Sequence, residues 1–528
     1  MLKNYFLTAL RNLKNNTGYS LINILGLSIG IACCVIMMLY VRTELSFDEY
    51  HEKADRIYRV EYCRRFGDNE IYNVRTPAQW APALKIDYPA IADFVRLKPP
   101  RSRWMVKYED RLFFEKGFVF ADSTVFSVFD FELVRGDPKD VLAAPSTVVL
   151  TEEMANKYFG NEDPIGKTIL LDNKHIITVT GIMKRIPRNS HFDFDFLASF
   201  STLYTEPGIF GGLPYLAAST QYTYVLLTKN ASSSDLESAL PGFVAKHLRD
   251  ESSPDEQIRI ELQPLTDIHL RSHREYELQT NGDISYVYMF STIAFIILLI
   301  ASMNFMNLTT ARSANRAKEV GMRKVVGAKR AQLIRQFIGE SAILALIALA
   351  FACLLVKLSL PYFNRLSERY LSFALFNDPF LILGLIAITA VVGILAGSYP
   401  ALYLSGFKPV NVLKGTLSKG ANRVAIWRLL VFIQFTVSIV LIIGTAAVFH
   451  QLYFMQDESL GFNKEQVVVI PLPDPAVRER FDALESRLYE NTGVLSVAAS
   501  SSLPGGLYNS WPIVTEGMSS EDALVFNV

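Results

Sequence analysis

Long stretches without a charged side chain constrain this chain of 528 residues more than any other feature. A helix needs roughly 20 predominantly apolar residues to cross a bilayer. Stretches longer than this lie between Lys14 and Arg42, Asp283 and Arg312, Asp378 and Lys408, and Arg428 and Asp457. A shorter apolar run covers 341–356, but the following Lys357 can snorkel and apolar residues continue beyond it. The sequence therefore predicts five membrane-spanning helices.

The first apolar run could instead be a cleaved signal peptide. Three basic residues precede it, and a small-x-small triplet occupies positions 30–32. However, apolar residues continue from Cys33 to Val41, whereas the apolar part of a signal sequence ends before its cleavage point. We therefore interpret the run as a retained helix.

Lysine and arginine near the ends of the apolar runs predict their orientation. The first 19 residues carry three basic groups and no acid, and the loop 309–336 carries eight basic residues against Glu319 alone. The stretch 401–427 carries four basic residues and no acid. These segments alternate correctly for one side of a five-helix path, so we expect a cytoplasmic N-terminus, with 42–285 and the residues after about 451 outside.

The predicted fold class is a polytopic α-helical membrane protein with a large extracytoplasmic α/β (α+β) domain. Strand patterns occur at Ser146–Leu150, His175–Ile182 and Gln221–Thr228, and Thr151 can cap a helix that follows it. The predicted parts are a cytoplasmic segment at 1–19, a transmembrane helix at 20–41, an outer domain at 42–285, a second membrane region at 286–416, a further helix at 427–449 and the start of a second outer domain at 450–528. Within the second membrane region, helices are predicted at 286–308, 338–360 and 379–402, with a cytoplasmic loop at 309–337.

Two of the predicted helices contain a small-xxx-small pair, Gly26 with Gly30 and Gly393 with Gly397. Such pairs let helix backbones approach closely in lipid, so these glycines are predicted helix-packing residues. The alternative is that each glycine is merely tolerated in a membrane helix.

Residues 160–168 resemble a phosphate-binding loop but depart from it. That loop requires four residues between its first glycine and the Gly-Lys pair, and here there are five. Pro164 also removes a backbone donor, and the segment is predicted to lie outside the cytoplasm. We interpret it as a structural turn that leads into a strand from Ile169.

Histidine and aspartate patterns raise the question of a metal site. His191, Asp193 and Asp195 would share one face of a strand, and the alternative is a solvated face with the phenylalanines at 192, 194 and 196 buried opposite. His269 and His273 have the spacing of one helical face, but we interpret them as ordinary surface histidines because no His-Glu-x-x-His motif accompanies them. No catalytic, cofactor-binding or metal-binding residue is therefore predicted, and an enzymatic function is not expected.

The cytoplasmic loop has the most informative pattern in the chain. Arg323 and Lys324 precede a small turn at Gly327 and Ala328, after which apolar residues at 333, 334 and 337 follow helical spacing. The pattern predicts a short amphipathic helix along the inner membrane surface. The alternative is that these charges only anchor the topology and bind anionic lipid.

This loop resembles the cytoplasmic signature of type VII ABC transporter permeases, the MacB, FtsX and LolC/LolE group. The signature Arg-x-Lys/Arg-Glu-Ile/Val-Gly-x-Arg-Lys-x-x-Gly-Ala is matched from Arg316 to Ala328, and Gly-Ser-Tyr-Pro-Ala occurs at 397–401. The outer domain is similar to a MacB-type periplasmic core domain at 155–160, 163–168 and 179–182. The resemblance covers residues 1 to about 416.

The resemblance implies a permease in the bacterial inner membrane that works with a separate cytoplasmic ATPase. ATP would then be bound by that partner and not by this chain. The residues expected to form the ATPase-coupling contact are Arg316, Lys318, Glu319, Gly321, Arg323, Lys324, Gly327 and Ala328. Further expected partners are a second permease module, as a homodimer or pseudo-dimer, a periplasmic adaptor or outer-membrane component, and membrane lipid. The formal net charge of zero gives no reason to expect nucleic acid.

The expected function is export or extrusion of a peptide, antibiotic or lipoprotein through mechanotransmission. The rival functions are a peptide-sensing or FtsX-like signalling receptor that controls an envelope partner, and a membrane-anchored enzyme. Residues after about 428 look like the beginning of a second copy of the module. We therefore expect a chain that is truncated or part of a longer product.

Overall fold

The computed structural model describes residues 17–66, 69–100, 103–206, 209, 216–248, 256–311, 320–367, 369–375, 378–405, 421–458, 466–472, 475–500, 510–513 and 524–527. The chain forms two compact units. The first unit comprises 1–99, 117–167 and 178–464, and the second comprises 100–116, 168–177 and 465–528.

The described helices are α1 Thr17–Leu45, α2 Trp80–Asp87, α3 Val125–Val128, α4 Glu152–Phe159, α5 Thr202–Thr205, α6 Ser233–His247, α7 Ile268–Arg271, α8 Ile284–Ala311, α9 Arg330–Ser367, α10 Pro379–Ser405, α11 Ala421–Asp457, α12 Pro475–Arg478 and α13 Phe481–Tyr489. Short 3-10 helices lie at Ala54–Arg56 and Leu265–Asp267. The strands are β1 Ile57–Phe66, β2 Asn69–Asn73, β3 Ile91–Lys98, β4 Trp104–Tyr108, β5 Arg111–Glu115, β6 Phe118–Ala121, β7 Leu133–Arg135, β8 Thr147–Thr151, β9 Thr168–Leu171, β10 His175–Met183, β11 Phe196–Ser199, β12 Tyr222–Leu227, β13 Glu256–Pro264, β14 Ser510–Ile513 and β15 Leu524–Asn527.

Within the part of the chain that the structure describes, five helices are long and apolar enough to cross a membrane, namely α1, α8, α9, α10 and α11. Each contains more than the roughly 20 residues that a crossing needs. Helix α9 starts at Arg330, before the predicted 338–360, because Leu333 and Phe337 continue its buried stripe. The amphipathic helix predicted after the cytoplasmic turn is therefore the first part of α9.

Small and aliphatic side chains at helical spacing pack α1, α8, α9 and α10 together. On α1 the buried positions are 27, 31, 35 and 39, and on α9 they include the small residues Ala345, Ala348 and Ala352. These repeats of three and four residues place one stripe of each helix toward its neighbours. Helix α11 contacts α8, where Asn307 Nδ2 donates to Gln434 Oε1 at 3.1 Å.

The outer domain is built on a sheet in the first unit. Its strands lie in the order β13–β1–β12–β3–β6–β11–β8–β10, with β2 beside β1 and β7 beside β10. The pairs β6–β11 and β8–β10 are parallel, and the pairs of β1 with β12 and β13 are antiparallel. The three strands predicted from sequence correspond to β8, β10 and β12, and Thr151 caps α4 as predicted by accepting from Met154 N.

Alternation along β12 divides the domain core between the two faces of this sheet. Tyr224 and Leu226 pack into one cluster, whereas Val225 and Leu227 pack into another with α2 and α6. Because successive side chains of a strand point to opposite faces, one central strand contributes to both layers. In the second unit, β4 pairs antiparallel with β5 and β9, and β14 pairs antiparallel with β15.

Two interpretations of histidines are wrong. His269 is buried, not on the surface. His273 is exposed as interpreted, but it lies beyond the end of α7, so the two do not share a helical face. His191 is also buried and does not lie on a solvated strand face, although the phenylalanines at 192, 194 and 196 are buried as expected. The reason lies in tertiary contacts. Glu44, near the end of α1, binds His269, and Asp48, just beyond that end, binds His191, and no local pattern reveals such partners.

Candidate functional site

A short helical segment on the predicted cytoplasmic side is the candidate coupling site. We call residues 320–329 the coupling segment, in which 320–325 are helical. Val320 is buried and packs in one apolar cluster with Leu333 and Phe337 of α9 and Ala401 of α10. The segment is therefore attached to the ends of two membrane helices by apolar burial.

Gly327 ends this helix with a defined turn. Its φ of 99° lies in the left-handed region that favours glycine. Gly327 N donates to Lys324 O at 3.1 Å, and Ala328 N donates to Arg323 O at 3.0 Å. This pair of bonds is the Schellman motif, which explains why glycine and alanine follow the helix here and confirms the predicted turn.

Arg323 connects the coupling segment to a buried carboxylate of α9. Its Nη1 donates to Gln336 Oε1 at 2.5 Å, and Gln336 Nε2 donates to Glu340 Oε1 at 3.0 Å. Glu340 is buried, and Ser341 beside it faces Gly397 of α10. A shift of the segment would therefore act on α9 through charge-assisted hydrogen bonds.

Lys324 connects the same segment to the end of α10. Its Nζ donates to Ser405 O at 2.6 Å, and Arg330 Nε donates to Ser405 Oγ at 3.4 Å. Burial lowers the pKa of Lys324 below its ordinary value, and the positive charge of Arg330 lowers it further. Arg323 and Lys324, the two basic residues of the sequence motif that the structure describes, thus bind groups of this chain.

The coupling segment exposes three apolar side chains on one face of its helix, and Lys329 is exposed at its end. Met322, Val325 and Val326 are 57%, 63% and 88% exposed, and their spacing of three and four residues places them on one helical face. Gly321 is buried, and Ala328 is half-buried. Arg316, Lys318 and Glu319 lie outside the described residues. The expectation that these motif residues contact an ATPase stays a prediction.

The four glycines named as helix-packing residues lie against neighbouring helices. A Cβ at Gly30 would lie 2.6 Å from Ala301 Cβ of α8, and one at Gly26 would lie 3.4 Å from Asn304 Nδ2. A Cβ at Gly393 would lie 3.3 Å from Ala342 Cα, and one at Gly397 would lie 3.0 Å from Ser341 Oγ. Glycine thus permits close contact between α1 and α8 and between α9 and α10.

The loop that resembles a phosphate site is a structural turn, as the sequence indicates. Gly166 N donates to Val179 O at 2.8 Å, and Ile165 N donates to Asp163 Oδ1 at 3.1 Å. Asp163 also forms a two-bond ion pair with Arg135. Among the described residues, no cluster of three or more histidine, cysteine, aspartate or glutamate side chains could hold a metal ion.

Family comparisons match two parts of the chain. Residues 20–242 match the MacB-like periplasmic core domain, and residues 291–409 match the FtsX-like permease C-terminal domain. The chain therefore contains a MacB-like periplasmic core domain and an FtsX-like permease domain. The coupling segment of this permease lies within the FtsX-like match.

Curated relatives of the permease are named as exporters. It is 25% identical over 279 residues to the macrolide export ATP-binding/permease protein MacB of Neisseria meningitidis, covering 52% of this chain and 39% of the relative. It is 23% identical over 415 residues to the pyoverdine export ATP-binding/permease protein PvdT of Pseudomonas savastanoi pv. phaseolicola, covering 74% of this chain and 56% of the relative. The permease therefore spans less than two thirds of the length of either relative.

Solved structures include a similar domain. The periplasmic region of MacB from Actinobacillus actinomycetemcomitans aligns with 18% identity and a TM-score of 0.28, covering 39% of this chain and 88% of that one.

Sequence reasoning missed the residues that give the coupling site its geometry. Gln336 and Glu340 have i, i+4 spacing on an otherwise apolar helix, which could have indicated a hydrogen-bonded pair. The spacing of Met322, Val325 and Val326 could likewise have indicated an apolar docking face. The contact of Lys324 with Ser405 spans 81 positions and has no local signal.

Proposed function

We propose that this chain is the permease subunit of an ABC exporter in the bacterial inner membrane. ATP hydrolysis by a cytoplasmic ATP-binding subunit moves the coupling segment, and the membrane helices carry that movement to the periplasmic domain. The observation that carries the proposal is an exposed apolar helical face whose flanking basic residues are bonded to two membrane helices.

The apolar face is the docking surface for the ATP-binding subunit. The side chains of Met322, Val325 and Val326 lose contact with water when a groove covers them. This burial contributes a binding free energy of roughly 25 cal/mol per Å² of apolar area. Coupling helices that bind through an apolar face use this helix-in-groove geometry. The docking group is then Met322, Val325 and Val326, none of which was predicted from the sequence. Arg323 and Lys324, which were predicted as contact residues, are internal connectors.

Movement leaves the coupling segment along two routes. Arg323 acts on α9 through Gln336 and Glu340, and Lys324 acts on α10 through Ser405. Because α9 and α10 touch closely at Gly393 and Gly397, they respond as one pair. These helices transmit movement and need not form a pore for the cargo.

The cargo belongs to the classes that such exporters extrude from the periplasm. Relatives are named for macrolide and pyoverdine export. For this chain we propose a small amphiphilic molecule, a peptide or a lipoprotein. A periplasmic adaptor or outer-membrane component and a second permease module complete the proposed assembly, with the N-terminus in the cytoplasm.

Purification of the full-length tagged chain from its own membranes tests the proposal. We expect an ATP-binding subunit to co-purify with the wild type and to be lost from Val326→Asp, which places a charge on the docking face. Val134→Asp is the matched control, because it makes the same change at an exposed valine of the outer domain.

Arg323→Gln separates docking from transmission. This variant keeps the apolar face, so the ATP-binding subunit should still co-purify with it. Absence of any nucleotide-binding subunit from the wild type, even after crosslinking, would overturn the proposal. Co-purification of a kinase or a cell-wall hydrolase in its place would favour a signalling receptor.

A further inference from the structure

Three segments next to the membrane helices meet at a single buried carboxylate. Glu44 lies one residue before the end of α1, His269 lies in α7 after the last domain strand, Gly282 lies two residues before α8, and Arg369 lies on the segment between α9 and α10. We call these four residues the outer joint. Glu44 and His269 are each only 2% exposed, whereas the side chain of Arg369 is 27% exposed.

Glu44 binds a partner on each side. Its Oε2 lies 2.8 Å from His269 Nε2 in hydrogen-bond geometry. Arg369 Nη2 donates to the same oxygen at 3.4 Å, and Arg369 Nε lies 2.8 Å from Oε1 as a charge contact. One carboxylate thus holds the outer domain and the α9–α10 segment against the end of α1.

The remaining walls of the joint are tightly packed. The rings of His269 and Phe47 stack with centroids 3.4 Å apart and an interplanar angle of 5°. A Cβ at Gly282 would lie 2.7 Å from Glu44 Oε2 and 3.0 Å from His269 Nε2. Only glycine allows the chain entering α8 to pass this close to the ion pair.

A second set of contacts holds the chain just after α1. Asp48 Oδ2 lies 2.8 Å from His191 Nδ1, and His191 Nε2 lies 2.8 Å from the Tyr224 hydroxyl. Burial raises the pKa of the Asp48 carboxyl, but the charge and hydrogen bonds of His191, together with Ser190, lower it below its ordinary value overall. The contacts fix residue 48 on the domain sheet.

The same part of the domain also touches the α9–α10 segment. The Arg188 guanidinium lies 3.1 Å from the ring centroid of Tyr370, the neighbour of Arg369. Asn189 Nδ2 donates to Ser46 O at 2.9 Å. Domain residues 188–191 therefore bind both the chain at the end of α1 and the α9–α10 segment.

The chain between the domain and α8 is held as well. The buried Arg59 donates to Glu277 Oε2 at 2.5 Å and to Ser272 Oγ at 3.0 Å. Asn281 Nδ2 donates to Ile268 O at 3.0 Å and to Ser272 O at 2.9 Å. This connector has fixed bonds at both ends, so it can transmit displacement to the joint.

We infer that Glu44 is the positioning residue that makes the outer domain follow the membrane helices. The inference rests on the proposed function for the direction of the movement. The joint itself rests on the distances and hydrogen bonds of its four residues. Separating Glu44 from Arg369 leaves the buried carboxylate without an opposite charge, which is strongly unfavourable, and separating it from His269 removes a buried hydrogen bond. The ends of α1, α7 and the α9–α10 segment therefore move together.

Hydrogen exchange of the full-length chain in lipid nanodiscs tests the joint directly. Glu44→Gln keeps the shape of the side chain but removes the charge, and Arg369→Gln removes the opposite charge. We expect amides of 268–271 and 369–375 to exchange about tenfold faster in either variant, with no further increase in the double variant. Glu153→Gln, in an exposed ion pair with Arg185, is the matched control and should leave exchange unchanged.

A nucleotide-dependent measurement separates a positioning role from a merely structural one. In Glu44→Gln the co-purified ATP-binding subunit should still hydrolyse ATP, but ATP with vanadate should no longer change the exchange of outer-domain amides. Arg369→Lys retains the positive charge, so this variant should keep much of the nucleotide response of the wild type.

The outcomes distinguish the inference from the proposed function. If the wild type yields no ATP-binding subunit, the proposed function fails while the exchange experiment still tests the joint. If the subunit is present and the amides of Glu44→Gln exchange at wild-type rates and respond to nucleotide as in the wild type, the inference about Glu44 is wrong and the proposed function stands. Additive increases of the exchange rates in the double variant of Glu44→Gln and Arg369→Gln would also overturn the inference.

Discussion

The two ends of the membrane bundle use charge in opposite ways. At the coupling segment, Arg323 and Lys324 bind polar groups of α9 and α10, and the exposed face is apolar. At the outer joint, Glu44 is enclosed by its partners and presents no surface. Under the proposed function, the inner end receives another protein, whereas the outer end connects parts of the same chain.

This difference follows from what each end must do. A partner that binds and releases needs a surface that water can reach, and apolar burial supplies the binding free energy without fixed geometry. A permanent joint needs geometry, and a buried ion pair supplies it because unpaired charges are costly there. The four predictions below test this contrast, from the largest expected effect to the smallest.

Removing the joint carboxylate should have the largest effect on stability. Glu44→Ala leaves Arg369 and His269 without their partner, so we expect a loss of about 3–5 kcal/mol in the free energy of unfolding. Glu153→Ala breaks an exposed ion pair and should cost at most about 1 kcal/mol. Denaturant unfolding of the full-length chain in detergent measures both, and equal losses would contradict the contrast between buried and exposed charge.

Acid should weaken the outer domain near the joint. Burial lowers the pKa of His51 to about 4, and its Nδ1 accepts a hydrogen bond from Asp130 N at 3.0 Å. Because the pKa is depressed in the folded state, this stabilisation is complete above the ordinary value of 6.5 and is lost as the pH falls toward 4. The loss should approach about 3 kcal/mol.

His51→Asn isolates this effect, because asparagine keeps an acceptor but does not titrate in this range. The variant should show a smaller decrease in unfolding free energy between pH 6.5 and 4. Identical pH profiles for the variant and the wild type would exclude His51 as the cause.

Crowding the contact between α1 and α8 should have an intermediate effect. In Gly30→Ala the added methyl must displace Ala301, so we expect a loss of about 1–3 kcal/mol. The compensating change Ala301→Gly should recover part of it. Gly444→Ala on α11 has no neighbour within 4 Å and is the control. A stable Gly30→Ala would mean that these helices are not closely packed.

Straining the cytoplasmic turn should have the smallest effect. Gly327→Ala meets no atom within 4 Å, so only its positive φ opposes the substitution, at about 1 kcal/mol. Recovery of the ATP-binding subunit should fall roughly fivefold. Gly327→Asn should be milder, since asparagine tolerates this backbone region better. Equal recovery from all three proteins would show that the turn does not position the docking face.

Features that depend on local pattern could be predicted from the sequence. The apolar runs indicated α1, α8, α9, α10 and α11, and alternation indicated β8, β10 and β12. The glycine–alanine turn of the coupling segment was equally local, because one left-handed residue and two backbone bonds define it.

Features that depend on distant partners could not be predicted in this way. His269 pairs with Glu44 across 225 positions, and Arg369 pairs with it across 325. Without those partners, a histidine in a polar stretch resembles a surface residue. The bonds of Arg323 and Lys324 pose the same difficulty, since a basic motif indicates charge but not whether the charge is used within the chain.

Nucleotide-dependent hydrogen exchange of the full complex tests the connection between the two ends most directly. In the wild type, ATP with vanadate should alter the exchange of amides in 320–337 and in the outer-domain strands. In Arg323→Gln the response should persist at 320–337 and become smaller in the outer domain, where the contact of Lys324 with Ser405 remains as the second route. Two results would contradict transmission through the coupling segment. Either outer-domain exchange does not change with nucleotide in the wild type, or it changes equally in the wild type and in Arg323→Gln.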